Sequence, residues 1–150
     1  MMSRGIWGLF TAATLSFGLS SAAMAEMGPI EARQACMKAN AGMMKVMVPI
    51  IKGEAAYDKA AIDDAITKTQ AACASWSDSF PDDSKPGGAV KTEAKLEIWS
   101  DRAGFDAATM SYVKAKEELK ATADEAAFKA AFPALGGTCK ACHEKYREAD

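Results

Sequence analysis

The tightest constraint on this sequence is a seam that repeats in four separate stretches. Ile30, Arg33, Met37, Asn40, Met44, Met47 and Ile51 follow one another at steps of three and four. A helix with 3.6 residues per turn brings such positions onto one face, and that face must be buried against another element. Ile62, Ile66, Thr69, Cys73, Trp76 and Phe80 continue the spacing in a second stretch. Ile98, Arg102, Phe105, Thr109, Tyr112 and Leu119, with Trp99 alongside, mark a third. Phe128, Leu135, Cys139, Cys142 and Tyr146 mark a fourth. The spacing predicts helices over about Pro29 to Lys52, Asp58 to Phe80, Thr92 to Ala121 and Asp124 to Glu148. No stretch alternates with a period of two, so no sheet is expected. Four such helices, with short connections except one, describe an all-α, antiparallel four-helix bundle.

The punctuation agrees with these limits. Pro29 suits a first helical turn, Asp58 an N-cap and Gly53 a stop. Pro81 to Gly88 cannot be helical and must form a loop. Pro49 is expected to kink the first helix, and Pro133 with Gly136-Gly137 to bend or interrupt the fourth.

The chain opens outside this pattern. Met1 to Arg4 is short and basic, Ile6 to Leu19 is mostly apolar, and Ala23-Met24-Ala25 has the small-x-small form of a cleavage site. Residues 1–25 therefore read as a secretory signal peptide, cleaved after about Ala25, and residues 26–150 as one mature domain. In a Gram-negative cell the destination is the periplasm. No later apolar run is long enough to cross a bilayer, so no stable membrane insertion is expected after cleavage. The formal net charge is −2, with no basic stripe interleaved with aromatics, which argues against a nucleic-acid partner.

Cys139-Lys140-Ala141-Cys142-His143 is the C-x-x-C-H pattern of covalent c-type haem attachment. Two thiols three residues apart on a helix share a face and reach the two vinyl groups on one porphyrin edge. His143 then presents its imidazole to the iron from the same side. Gly136 and Gly137 are expected to let a flat macrocycle approach the backbone. A redox dithiol would need a βαβ setting, which is missing, and zinc would need about four ligands, whereas His143 is the single histidine. One haem c, covalent and iron-bearing, is the expected cofactor. The sixth iron position is open to thioethers of the first helix, where Met37, Met43, Met44 and Met47 cluster, and periodicity does not choose among them.

The chain resembles the class II c-type cytochromes, the cytochromes c′ and their low-spin relatives of the cytochrome c-556 type. The resemblance is carried by Glu31-Ala32-Arg33-Gln34, by Thr92-Glu93-Ala94-Lys95 with Ile98-Trp99, and by Gly136 to His143 with Tyr146 and Arg147. It implies the antiparallel bundle and Met37 over the iron, as sixth ligand or as a methionine packed above an open site. The first alternative implies a low-spin electron carrier working with redox partner proteins. The second implies a five-coordinate protein that binds nitric oxide or carbon monoxide. A haem enzyme fits less well, because a peroxidase needs a distal acid/base group and the only histidine is proximal. Relatives occur as monomers or homodimers.

Arg33 interrupts an apolar seam one turn before Met37, so it needs a partner: a haem propionate, as the resemblance also implies, or water at the bundle end. Arg147 stands one turn after His143, either near the imidazole or in solvent. In a hairpin turning near residues 54 and 55, Cys36 and Cys73 are equidistant from the turn. An oxidising compartment favours a disulfide between them over two free thiols.

Overall fold

The computed structural model describes residues 27–149. The signal peptide read at residues 1–25 lies outside them. Four long helices carry the fold: α1 (Pro29–Lys52), α2 (Lys59–Ala72), α4 (Arg102–Lys120) and α5 (Glu125–Tyr146), with a single turn, α3 (Glu97–Ser100), preceding α4. They form an antiparallel four-helix bundle in which α1 pairs with α2 and α4 with α5, while α2 joins the pairs. Among the described residues the only extended pairing is an isolated antiparallel bridge, Ala94 to Arg147.

Local chemistry sets the helix limits. Pro29 occupies the first turn of α1, and Gly53 ends it at φ 72°, a left-handed conformation that suits glycine. Pro49 does not break α1; its carbonyl accepts from Glu54 N at 2.8 Å and Ala55 N at 3.2 Å, closing the end of the helix. Asp58 caps α2 by accepting from Ala61 N at 3.0 Å, and Asp124 caps α5 by accepting from Ala127 N at 2.9 Å.

Three expectations are corrected. The second helix stops at Ala72 rather than running to Phe80; the next residue, Cys73, caps it and is bonded to Cys36 on α1. The third does not begin at Thr92. Residues 93–95 are extended and pair with the end of α5: Lys95 N donates to Tyr146 O at 3.0 Å, and Glu148 N to Glu93 O at 2.7 Å. At Asp101 the chain leaves helical geometry, at φ −124° and ψ 54°, and its carboxylate caps α4 at Gly104 N. The fourth runs unbroken through Pro133 and both glycines. Pro133 and Lys129 are both exposed, so the carbonyl that Pro133 leaves without a donor lies on the wet face.

Two apolar clusters fill the bundle. One contains Met43, Met47, Ile62, Ile66, Leu119, Phe128 and Leu135. The other is aromatic, built on Phe80, Ile98, Phe105 and Tyr146 with Trp76 and Trp99 packed against them. The buried face of α1 keeps the expected seam at Ile30, Arg33 and Met47 but shifts by one residue elsewhere. Cys36, Met43 and Ile50 are buried, whereas Met37 is 37% exposed. The face carrying Met37 and Met44 borders a cavity instead of a neighbouring helix.

The Cys36–Cys73 disulfide spans a sequence separation of 37 residues. Loop-closure entropy assigns such a link roughly 2–4 kcal/mol. Reduction, or the double variant Cys36→Ser/Cys73→Ser, should lower the denaturant midpoint accordingly. An unchanged midpoint after mass analysis confirms full reduction would count against this clamp.

Candidate functional site

One large cavity opens between α1, α4, α5 and the loop ahead of α3, with a volume of about 1240 Å³. That exceeds the roughly 300–1,000 Å³ of common small-molecule sites. Its wall brings together every residue singled out for cofactor binding: Cys139, Cys142 and His143 from α5, and Arg33 and Met37 from α1.

On α5, both thiols are half-buried and free of any disulfide. Burial pushes the Cys139 and Cys142 thiols above their ordinary pKa. The His143 imidazole is pushed down, first by burial and then by the nearby Arg147 guanidinium, with Glu93 opposing. Its neutral form is therefore favoured, the form with a lone pair for a metal. Arg147 lies near the imidazole, as the first alternative had it, and also binds Glu93, with Nε 2.8 Å from the carboxylate. Gly136 and Gly137 do not line the cavity, and a Cβ on either would meet no atom within 4 Å.

On α1, the four methionines separate. Met43 and Met47 are 1% and 0% exposed inside the first core cluster. Met37 and Met44 reach the cavity, and Met44 also packs partly on that cluster. The cavity wall beside Met37 is braced. Asn40 Nδ2 donates to Cys36 O at 2.9 Å, and Asn40 Oδ1 accepts from the Tyr112 hydroxyl of α4. Tyr112 is held as the neutral phenol, its pKa raised by burial and by Cys139. Sequence reasoning missed Asn40 and Tyr112 as a pair. Both stood on apolar seams, and that was the available signal.

Arg33 is 5% exposed. Its guanidinium donates to Ser79 O (3.1 Å), Ser84 Oγ (3.0 Å), Ser84 O (2.8 Å) and Thr92 Oγ1 (2.9 Å). It also lies 5.2 Å from the Phe80 ring and 5.8 Å from Trp99. It is not at a wet bundle end. Its Nε is buried and has no hydrogen-bond partner among the described residues. The Arg33 side chain itself lines the cavity, and its positive charge there favours an anionic group of a ligand.

The donor set, the cavity's size and the arginine on its wall suit a covalently held haem c. Comparison with known proteins agrees. The Cytochrome C′ family profile matches residues 28–147. The chain belongs to this family. It is 35% identical over 80 residues to a cytochrome c-556 of Agrobacterium fabrum, a match that covers 53% of this chain and 55% of that relative's length. The cytochrome c′ of Rubrivivax gelatinosus superposes with a TM-score of 0.70 at 31% identity, covering 81% of this chain and 98% of the other. A mutant cytochrome c′ from Alcaligenes xylosoxidans, solved as its nitric oxide complex, gives 0.66 at 30% identity over 81% and 98%. Family membership implies haem c with iron at its centre, in a protein of electron transfer or gas binding.

The four hydrogen bonds of Arg33 tie the loop from Ser79 to Thr92 to α1. Arg33→Ala should cost at least about 3 kcal/mol of stability, since it empties a charged, buried bonding site. It should also expose that loop to limited proteolysis of the cytochrome. Cleavage at the wild-type rate would contradict the assigned tether.

Proposed function

We propose that this cytochrome is a periplasmic electron carrier with one haem c, tethered by Cys139 and Cys142 and ligated by His143 and Met37. The observation that carries this reading is the placement of the single histidine and an otherwise unpacked thioether on the wall of one cavity, on different helices. Met37 is open there while its neighbour Cys36 is buried, so its side chain is free of the core contacts that fix Met43 and Met47. An iron held by histidine and methionine has no open position and a raised potential, which suits electron transfer.

The protein's own groups fit that use. His143 is held neutral and Met37 is uncharged, so neither must lose a proton to bind the metal. The disulfide fixes the turn that carries Met37 to the end of α2. The Asn40–Tyr112 hydrogen bond fixes the next turn to α4. A distal ligand on a braced helix needs little rearrangement when the charge on the iron changes. Arg33 is the cation on the cavity wall that we assign to a propionate. The role is that of a carrier and not an enzyme, since the lone histidine is committed to the iron. Export accords with the disulfide, which persists in an oxidising compartment, and with the absence of any helix among the described residues long and apolar enough to cross a membrane.

Purified from cells that attach haem c, the protein should retain its colour through acidified acetone extraction, and Cys139→Ser/Cys142→Ser should release it. A colourless mature chain with the mass of bare polypeptide would end the haem assignment.

Carbon monoxide separates the carrier from a gas-binding protein. The reduced wild type should keep a low-spin spectrum and bind the gas slowly and incompletely, whereas Met37→Leu should bind it rapidly. Fast, complete binding by the wild type would favour the five-coordinate, gas-binding reading instead.

A further inference from the structure

We propose that the mouth of the haem cavity is a cationic docking surface for a redox protein that presents clustered carboxylates. This rests on the electron-carrier reading above, because it names the kind of partner that would meet the haem there.

The chain as a whole is acidic, with a formal net charge of −2. The cavity wall has the opposite sign: Arg33, Lys38, Lys91, Lys116 and Arg147 line it, against the single carboxylate of Glu93. Two haem propionates would reduce that excess without reversing it. The pattern of ion pairing sharpens the contrast. Most lysines elsewhere on the surface sit within 4.0 Å of a carboxylate, commonly one turn away on the same helix. Among the described residues, no carboxylate lies within that distance of Lys38 or Lys91, and both are exposed. Glu93, the carboxylate on the wall, is taken by Arg147 at 2.7 Å.

Lys45, Lys95, Lys116 and Lys120 also have no ion pair among the described residues, but Lys38 and Lys91 share one rim of the cavity. Gln34 Nε2 donates to the backbone carbonyl of Lys91 at 3.1 Å. Gln34 is one helical turn before Lys38, so the loop residue and the helix residue are fastened side by side. Lys38 immediately follows Met37. Arg33 is held inward by its loop bonds, and Lys116 is buried beside the Tyr112 ring at 5.2 Å. Lys38 and Lys91 are thus the ammonium groups that an approaching molecule meets first. Unpaired charges at the edge of a low-dielectric concavity steer oppositely charged partners toward it. A carboxylate-bearing protein surface docked there would come to rest at the haem edge.

The holoprotein should bind poly-L-glutamate in calorimetry at an ionic strength of about 0.01 M, where the screening length is about 30 Å, and lose it well above 0.1 M. Amide shifts should cluster around Lys38 and Lys91. Lys38→Gln/Lys91→Gln should weaken binding on the order of tenfold. Lys68→Gln/Lys114→Gln changes the net charge equally at ion-paired sites on α2 and α4, and should leave binding unchanged. Equal weakening by both double variants, or none by the first, overturns the docking surface. Oxidation of the reduced protein by ferricyanide should also slow as salt is added, despite the acidic net charge; acceleration by salt overturns it as well. Polyglutamate binding at the rim without electron exchange with ferricyanide would keep the surface and remove the carrier reading.

Discussion

A buried guanidinium holds this bundle around its cavity. Arg33 takes a charge into a site where it is 5% exposed, and desolvation pulls its pKa below the ordinary value. Such burial is tolerable only when the donors find partners. Here two backbone carbonyls and two hydroxyls accept from it, and two aromatic rings flank it. All of those partners belong to the segment from Ser79 to Trp99, which contains no long helix. Without the guanidinium that segment would have little to organise it, and one wall of the cavity would be a loose loop. Trp99 Nε1 extends the arrangement by donating to Phe80 O at 3.1 Å. The aromatic cluster therefore assembles around a cation rather than around a purely apolar nucleus.

The other walls are held by similar means. A bundle packed throughout would close on itself, as the first core cluster does around Met47 and Phe128. The cavity half is spaced by specific links instead. The disulfide ties α1 to the end of α2, Asn40 and Tyr112 join α1 to α4, and Tyr146 OH donates to Asp101 at 2.9 Å to join α5 to the α3–α4 break. The bridge between Ala94 and Arg147 secures the end of α5, one turn beyond His143. Each link stands next to a residue of the cavity wall, so the same contacts that stabilise the fold also limit how far the turns that carry the proposed haem ligands can move.

Much of this was legible in the sequence. The four seams gave the bundle, and C-x-x-C-H gave the three residues that α5 presents to the cavity. The register of the α1–α2 hairpin anticipated the disulfide. What sequence could not carry was the effect of tertiary links on helix limits. Cys73 on a seam reads as another helical position, yet its bond to Cys36 coincides with the end of α2. Thr92 to Lys95 has ordinary helical composition, but its backbone pairs with the end of α5. Asp101 looks like one polar residue among many, although it ends one helix and caps the next. The seam of α1 was misplaced by about one residue for a related reason. Periodicity locates a face that avoids water, and a cavity wall and a helix interface both satisfy that description.

That ambiguity explains why periodicity alone did not rank the methionines of α1. All four share one side of the helix within three turns. Met43 and Met47 are enclosed by other side chains, while Met37 and Met44 line the cavity. An apolar residue left open at a fixed place costs stability relative to a buried one. The turns around Met37 are held by Arg33, the disulfide and the Asn40 bridge, contacts that do not depend on the packing of Met37 itself. Such bracing suits a preorganised ligand position, the role proposed for Met37.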